Sequence, residues 1–230
     1  MEVGSGPGLG ETERSWTMWI TPIVIERPGG RVRLEPMAER HAPGLFAAID
    51  HDDVWRLRPD PRVRRVEEMP VWIATRVANA ADGKWIPFVI VIAASGEIAG
   101  TTSYLEVQEE NRALEIGATI VSPKWQRTFV NTECKLTLME HAFEKLPGGG
   151  AVRVQFKVDT RNERSLLAVE RLGAVREGTL RKNRICHDGY IRDTAVFSIV
   201  AAEWAGVKGR LEGEAMKRRS DGATEGNAKK

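Results

Sequence analysis

The sequence predicts an α/β fold of the mixed (α+β) kind, with helices on both faces of one mixed β-sheet. Segment 114–174 reads strand, helix, strand, helix, and a strand–helix–strand crossover makes its two strands parallel. Turn signals at Ser95-Gly96 and Asp188-Gly189 each separate two strand-like runs, and such hairpins pair antiparallel. The sheet therefore combines both kinds of pairing.

The first half of the chain divides at its turns and basic segments. Pro28-Gly29-Gly30 lies between two short apolar runs and predicts a first strand or hairpin. Helical spacing of apolar residues then occurs twice, on either side of an irregular, basic segment at 56–65. The predicted elements are strands at 23–26 and 32–34, helices at 38–49 and 66–80, and strands at 85–93 and 98–107.

The second half holds the clearest periodicity. A strand at 114–121 precedes an amphipathic helix at 131–145, and a β-branched strand at 152–158 precedes a short helix that stops at Gly173. Runs 176–186 and 191–201 form the last hairpin.

Length and composition bound the function. A chain of 230 residues with 42% hydrophobic residues suits one domain, predicted at 21–210, between a flexible tail at 1–20 and a disordered charged tail at 211–230. Two cysteines give no disulfide framework, a net charge of +2 does not favour nucleic acid, and the four histidines lack metal-ligand spacing. No apolar run approaches twenty residues. We expect a cytoplasmic protein with no metal and with neither a nucleic-acid nor a membrane partner.

The turn at 123–132 is the most informative feature, because it leads from an apolar strand into an amphipathic helix through polar and basic residues. The first amides of a helix have no intrahelical partners, and the positive end of the helix dipole favours an anion. Lys124 and Arg127 add positive charge. The turn therefore predicts a ligand that carries phosphate.

A second unit, Asn162-Glu163-Arg164-Ser165, follows the next strand and opens the next helix. Together with the sequence 125–135, it resembles the Gcn5-related N-acetyltransferases (GNAT), and within them the RimJ/RimL-like branch. The resemblance covers about 23–204. It implies a strongly twisted sheet of about seven strands whose fourth and fifth strands splay apart, with acetyl-CoA as cosubstrate between them.

The resemblance also implies which residues hold the coenzyme. In the family the turn holds the pyrophosphate, while the Asn and Ser of the second unit lie along the pantetheine and adenosine-phosphate arm. Carried over to this sequence, the coenzyme-binding residues are Ile120, Val121, Gln126, Arg127, Thr128, Phe129, Val130, Asn131, Thr132, Asn162, Arg164 and Ser165.

The turn departs from the family pattern at two positions. The superfamily writes Gln/Arg-x-x-Gly-x-Gly/Ala, whereas this chain has Phe129 and Asn131 at the two small-residue positions. Phe129 can serve only if its φ is negative and its ring points away from the ligand. Otherwise the loop is degenerate and holds no coenzyme.

The implied reaction is direct acetyl transfer to an amine, which requires a group that accepts the ammonium proton. Glu115 interrupts the strand that leads to the turn and is the candidate general base; the alternative is a strand glutamate that faces solvent or pairs with an arginine. Many relatives place a tyrosine acid where this chain has Val169, which leaves Ser165, a water or no acid at all. Cys134 and Cys186 are expected to be buried thiols without a nucleophilic role.

The acceptor class stays open between a protein N-terminal α-amine and a small-molecule amine. In the family the acceptor enters over the two early helices, where Trp55, Trp72 and Trp85 either line a cleft or belong to the core. The basic segment 56–65 indicates an acceptor with a carboxylate, or else a solvated surface. The alternative function is a non-catalytic acyl-CoA-binding or regulatory module. Because relatives are often dimers, a homodimer is a further expectation.

Overall fold

The computed structural model describes Trp19, residues 23–80 and residues 85–227, with side chains as far as Ala215. One sheet of eight strands has the order β1-β2-β3-β4-β5-β6-β8-β7. The strands are β1 Ile25–Glu26, β2 Val32–Pro36, β3 Trp85–Ile92, β4 Ile98–Gln108, β5 Ala113–Val121, β6 Arg153–Asp159, β7 Val175–Ile185 and β8 Ile191–Val200. The mixed sheet is confirmed; it has one strand more than expected because the first segment forms a complete hairpin, β1–β2.

Six α-helices accompany the sheet in the described ranges. They are α1 Ala42–Ile49, α2 Asp52–Trp55, α3 Met69–Ala78, α4 Val130–Glu140, α5 Glu163–Arg171 and α6 Ala201–Asn227. Short 3-10 turns precede α1, α3 and α4, and a π-helical turn, His141–Lys145, continues α4.

Two apolar clusters place the helices on opposite faces, as the sequence predicts. Buried residues of α4, α5 and α6 pack on one face, with Leu114, Ile116, Phe156 and Phe197 of the sheet. The other face packs against α1, α2 and α3. We call these the α4 face and the α3 face.

Strands β5 and β6 splay; they correspond to the fourth and fifth strands of the GNAT resemblance, because the additional strand β1 shifts the numbering by one. They pair in parallel only from Ala113↔Arg153 to Glu115↔Gln155 and separate after that pair, which leaves a β5–β6 gap along the rest of both strands. β5 also contains an irregularity opposite β4, where Ala118 has a φ of 50°. Such bulges re-aim the side chains beyond them.

The structure describes the two predicted tails to different extents. The predicted N-terminal tail lies outside the described residues except for Trp19, which is buried and donates its Nε1–H to the carbonyl of Pro147. At the other end, helix α6 continues through Asn227, where the sequence analysis predicted disorder from residue 211. As far as Ala215 the helix packs through an apolar stripe at helical spacing, formed by the buried Trp204, Val207, Leu211 and Ala215. Residues 228–230 lie outside the described part.

Candidate active site

The predicted phosphate turn forms a tight loop at the start of α4. A 3-10 turn, Pro123–Trp125, is followed by Arg127 in the left-handed region, with a φ of 61°. Thr128 then shapes the helix entry, because its hydroxyl donates to the carbonyl of Trp125 at 2.7 Å and accepts from the amide of Val130 at 3.3 Å. We call residues 126–132 the phosphate loop.

The phosphate loop leaves amide groups available for a ligand. Within α4 the amide of Glu133 bonds back to the carbonyl of Phe129, whereas the amides of Asn131 and Thr132 have no partner among the described residues. These two N–H groups belong to the first helical turn, where the helix dipole favours an anion. The exposed Arg127 lies beside them. This arrangement fits a diphosphate.

Gln126 joins the two sequence motifs. Its side-chain Nε2 donates to the carbonyl of Val121 at 3.0 Å, and its side-chain Oε1 accepts from Arg164 at 2.6 Å. Arg164 lies in the first turn of α5, whose N-cap Asn162 accepts from the amide of Ser165. The starts of α4 and α5 therefore lie close together, with one cationic side chain from α5 reaching the phosphate loop.

Phe129 has the conformation that the sequence analysis required of it. Its φ is −67°, within the ordinary helical range. Its ring lies edge-on to the Trp125 indole at 5.8 Å and under the Arg31 guanidinium at 3.8 Å, packed against the α4-face core. These contacts engage the ring without positive φ, so the bulky residue is compatible with an intact loop.

Lys124 differs from its expected role as a phosphate partner. Its ammonium group binds both carboxylate oxygens of Glu97, at 2.7 and 2.8 Å, and the Trp125 indole donates to the same carboxylate. Glu97 lies on the neighbouring hairpin, a proximity that the local sequence does not show. Ile120 is buried toward α1 and α3, so its side chain belongs to the core.

Glu115 occupies the last residue pair before β5 and β6 separate. Its neighbours Leu114 and Ile116 point into the α4-face core, so the Glu115 carboxylate lies on the α3 face. The side chain is buried, and its Oε2 lies 3.3 Å from the Nζ of Lys157. Burial raises the pKa of Glu115 to about 6, against the lowering effect of Lys157. A carboxylate with this pKa is ionised at neutral pH and can accept a proton.

Gly117 provides room for that carboxylate. A Cβ at this position would lie 2.7 Å from Oε1 of Glu115 and 2.8 Å from Cδ1 of Leu105. Both distances are too short for non-bonded atoms. A larger residue at this position would therefore force the Glu115 carboxylate and the Leu105 side chain to shift.

Three polar residues on the α3 face were not predicted from the sequence: Lys157 on β6, and Arg192 and Thr194 on β8. The alternation of apolar and polar residues along β6 could have indicated Lys157. Val158 and Ala195 point into the opposite core, so their neighbours Lys157 and Thr194 lie on this face. This alternation was not used, since both strands were identified from their β-branched composition.

The remaining candidates are placed as follows. Ser165 is half-buried in the first turn of α5, and Val169 is buried in the core, so no tyrosine acid arises from α5. Cys134 is buried, and burial raises the pKa of its thiol to about 11, which leaves little thiolate at neutral pH. Cys186 is also buried.

The region expected to receive the acceptor is largely packed. Trp55 and Trp72 are buried and meet edge-on at 6.0 Å. Arg76 stacks on Trp72 at 3.4 Å and forms an ion pair with Asp60, which also binds Arg58. In segment 56–65, Arg62 and Arg65 likewise have carboxylate partners. These ion pairs weaken the case for segment 56–65 as the acceptor's carboxylate site.

A family model described as an acetyltransferase (GNAT) domain matches residues 31–175. The chain belongs to the GNAT acetyltransferase family. The uncharacterized N-acetyltransferase YoaA of Bacillus subtilis (strain 168) is 27% identical over 170 residues, 74% of this chain and 93% of that protein. A solved structure from T. thermophilus, provisionally assigned as an acetyltransferase, is 38% identical and covers 86% of this chain and 99% of its own, with a TM-score of 0.75.

Other GNAT structures extend the likeness of fold. The structure of an acetyltransferase from Salmonella typhimurium, which modifies the N-terminal serine of the 50S ribosomal subunit protein L7/L12, is 18% identical. It covers 77% of this chain and 99% of its own, with a TM-score of 0.66. The predicted family and fold are thus confirmed, and the GNAT domain implies acetyl-CoA as the acyl donor. No helix in the described part of this GNAT chain combines the length and hydropathy that a membrane span requires.

Proposed function

We propose that this protein is an acetyl-CoA-dependent N-acetyltransferase that transfers the acetyl group directly to a primary amine, with Glu115 as the general base. One observation carries the proposal: the buried carboxylate of Glu115 stands at the point where β5 and β6 separate. It is the place where an acyl donor and an amine from opposite faces of the sheet could meet.

The residues of the phosphate loop fit the diphosphate of the coenzyme. The amides of Asn131 and Thr132 supply donors, Arg127 and Arg164 supply positive charge, and Phe129 is engaged by Trp125 and Arg31. Beyond Glu115, the edge of β5 that faces β6 has no strand partner, which leaves backbone groups available to an extended arm. When bound, acetyl-CoA supplies an acetyl thioester, whose carbonyl carbon is reactive toward an amine.

Glu115 prepares the acceptor. An ammonium ion has no lone pair, so its proton must leave before the nitrogen can attack a carbonyl carbon. A carboxylate with a pKa of about 6 is ionised at pH 7 and holds the accepted proton better than an ordinary glutamate does. Lys157, 3.3 Å away, keeps the carboxylate in place and limits the rise of its pKa.

The acceptor is an amine, either a protein N-terminal α-amine or a small-molecule amine. The Salmonella typhimurium relative modifies the N-terminal serine of a ribosomal protein, which supports a protein α-amine. That likeness is one of fold, and small amines fit the same chemistry.

Two measurements on the full chain test the proposal. Calorimetry with acetyl-CoA reports binding, and free-thiol release over a panel of peptides, amino acids and simple amines reports transfer. We expect binding, and thiol release that depends on both an amine and Glu115. Binding without release on any amine would indicate the non-catalytic acyl-CoA-binding module, and absence of binding would defeat both functions. Glu106→Gln is the matched control, because Glu106 also binds Lys157 but is exposed.

A further inference from the structure

The α3 face beyond Glu115 carries a set of charged groups that the proposed chemistry does not use. On β6 and β8 the side chains of Lys157, Asp159 and Thr194 share this face, because Val158 and Ala195 point into the α4-face core. Arg192 lies two residues before Thr194 on β8, and the alternation of a strand places it on the same face. Thr194 stands opposite Asp159 in the β6–β8 pairing. The set therefore borders the β5–β6 gap on the side away from β5.

Most of these charges have partners. Lys157 binds Glu106 at 2.5 Å and Glu115 at 3.3 Å. Asp159 is buried and accepts two bonds from the Arg161 guanidinium, at 2.8 and 3.1 Å. Lys157 and Asp159 are therefore already paired, which leaves them few free hydrogen-bonding groups for a ligand.

Arg192 is the exception. Its guanidinium forms no hydrogen bond or ion pair with any other described residue, although the group is partly buried and its Nε is inaccessible to solvent and unpaired. Burial lowers the pKa of Arg192, while the charge of Asp159, and more weakly that of Glu115, raises it. Neither carboxylate forms a hydrogen bond with the guanidinium. A partly buried guanidinium without a hydrogen-bonded carboxylate is costly unless a ligand supplies one.

Thr194 provides an independent sign of a missing partner. Its side chain is fully buried, with 0% exposure, and its hydroxyl oxygen has no hydrogen-bond partner. Buried hydroxyl groups nearly always have one. Thr194 and Arg192 are two residues apart on the same face of β8, about 7 Å along the strand. Two unsatisfied donors thus lie side by side.

The charged groups around this face carry a net positive charge. Glu106, Glu115 and Asp159 carry three negative charges, whereas Lys157, Arg161, Arg192 and its β7 partner Arg184 carry four positive charges. A carboxylate at Arg192 offsets the excess positive charge, and an ammonium group of the same ligand can face Glu115. A simple amine without an anionic group would add to the positive charge.

The turn of the β7–β8 hairpin limits the space over this face. The amide of His187 in that turn donates to the carbonyl of Pro59, in the segment between α2 and α3, at 3.0 Å. This contact bridges the hairpin to the helical layer on the α3 face. A bridged entrance favours a small acceptor over a long peptide.

We propose that the acceptor is a zwitterionic, amino-acid-like amine, whose carboxylate binds Arg192 and the Thr194 hydroxyl while its ammonium group faces Glu115. The inference rests on the proposed function and narrows its acceptor to one class. Arg192 and Thr194 are binding residues here, and Glu115 keeps its role as base. A guanidinium suits this role because its planar fork matches a carboxylate.

The test uses thiol release by the full chain with acetyl-CoA and three matched sets of acceptors: the L-amino acids, their α-carboxamides, and short peptides that begin with the same residues. We expect kcat/KM for the best amino acid to exceed that for its amide by about tenfold or more, because the amide leaves the guanidinium without an anion. Arg192→Gln is expected to remove this preference, lowering kcat/KM for the acid about 100-fold and for the amide by less than about threefold. For Arg192→Lys, kcat/KM for the acid is expected to lie between the values of the unaltered chain and of Arg192→Gln.

Controls separate recognition from folding. Arg184→Gln removes an exposed positive charge from the paired position on β7 and is expected to leave the preference intact. Thr194→Val keeps the shape and removes the hydroxyl. It is expected to weaken use of the acid without lowering the melting temperature, since an unpaired buried hydroxyl stabilises nothing.

Several results would overturn the inference. These are equal use of acid and amide by the unaltered chain, a preference for the peptides, or an equal loss on both acceptors in Arg192→Gln. If no amine at all is acetylated, the proposed function fails, and calorimetry of the same amino acids on the coenzyme-A-loaded chain decides the acceptor site. A heat of binding that the unaltered chain shows and Arg192→Gln lacks would support the site. No heat of binding with the unaltered chain would overturn it.

Discussion

The guanidinium of Arg31 lies 3.8 Å from the centre of the Phe129 ring and binds the buried carboxylate of Glu133 through its Nε at 2.5 Å. The backbone amide of Arg31 donates to the same carboxylate at 2.8 Å. One arginine at the turn before β2 thus fixes both the residue that precedes α4 and a residue one turn into that helix. The position of the phosphate loop depends on this link between distant parts of the sequence.

Replacing Arg31 with leucine is expected to lower the free energy of unfolding by about 2–3 kcal/mol, because a charge-assisted hydrogen bond and a cation–π contact are lost together. Chemical denaturation measures the change. Arg33→Leu is the control, since Arg33 binds Glu35 in a more exposed pair, and a loss below about 1 kcal/mol is expected there. Equal losses in both variants would show that Arg31 contributes no more than a surface ion pair does.

Glu115→Gln is expected to reduce kcat by about 100- to 1,000-fold, the usual contribution of a general base. In the unaltered enzyme kcat/KM is expected to rise with pH, reach half of its plateau near pH 6 and level off about one pH unit higher, because the base must be ionised and its pKa is about 6. The variant is expected to lack this rise. A variant that kept both the rate and the pH profile would exclude Glu115 as the base.

Ionised Glu115 is expected to lower the free energy of unfolding at neutral pH. The pKa of Glu115 is about 6 in the folded chain against an ordinary value of 4.5, so the folded state binds more protons than the unfolded state between these pH values. The contribution of Glu115 to stability is therefore expected to fall as the pH rises through this window, by about 2 kcal/mol. Denaturation of Glu115→Gln and the unaltered chain at pH 4 and pH 7 measures it. A variant less stable than the parent at pH 7 would contradict this sign.

Gly117→Ala is expected to displace the Glu115 carboxylate, because the added Cβ lies 2.7 Å from Oε1. Misplacement of a catalytic group by about 1 Å can cost about 100-fold, so a fall in kcat of about 10- to 100-fold is expected, with little change in the KM for acetyl-CoA. Steady-state kinetics in both substrates measure this. Gly178→Ala, where nothing lies within 4 Å of the added Cβ, is the control. Full activity of Gly117→Ala would mean that the carboxylate can move without cost.

Much of the fold could be predicted from the sequence because its signals are local. The turn at Asp188-Gly189, the periodic helix at 131–145 and the apolar strands mark their own positions, and the structure places a hairpin, a helix and strands there. Helix α6 was not predicted at all, and its part from residue 211 was predicted to be disordered, because its charged composition outweighed a sparse apolar stripe. That stripe is effective only because the α4-face core lies against it.

The site could be predicted only where a motif is continuous in sequence. The phosphate loop and the start of α5 are such motifs, and the structure brings them together through Gln126 and Arg164. The partners of Lys124 and Phe129 were not predictable, since Glu97 and Arg31 come from remote segments. Arg192 and Thr194 were missed for the same reason, because unsatisfied donors can be recognised only when all neighbours are known.

The short pairing of β5 with β6 has a consequence for the whole molecule. Strands β1 to β5 form one antiparallel block and β6, β8 and β7 another, and within the sheet only three residue pairs join the two blocks. Beyond these pairs the blocks meet through side chains of the α4-face core, to which strands of both contribute. A molecule bound in the β5–β6 gap would contact both blocks and add bonds at the place where the sheet itself has fewest.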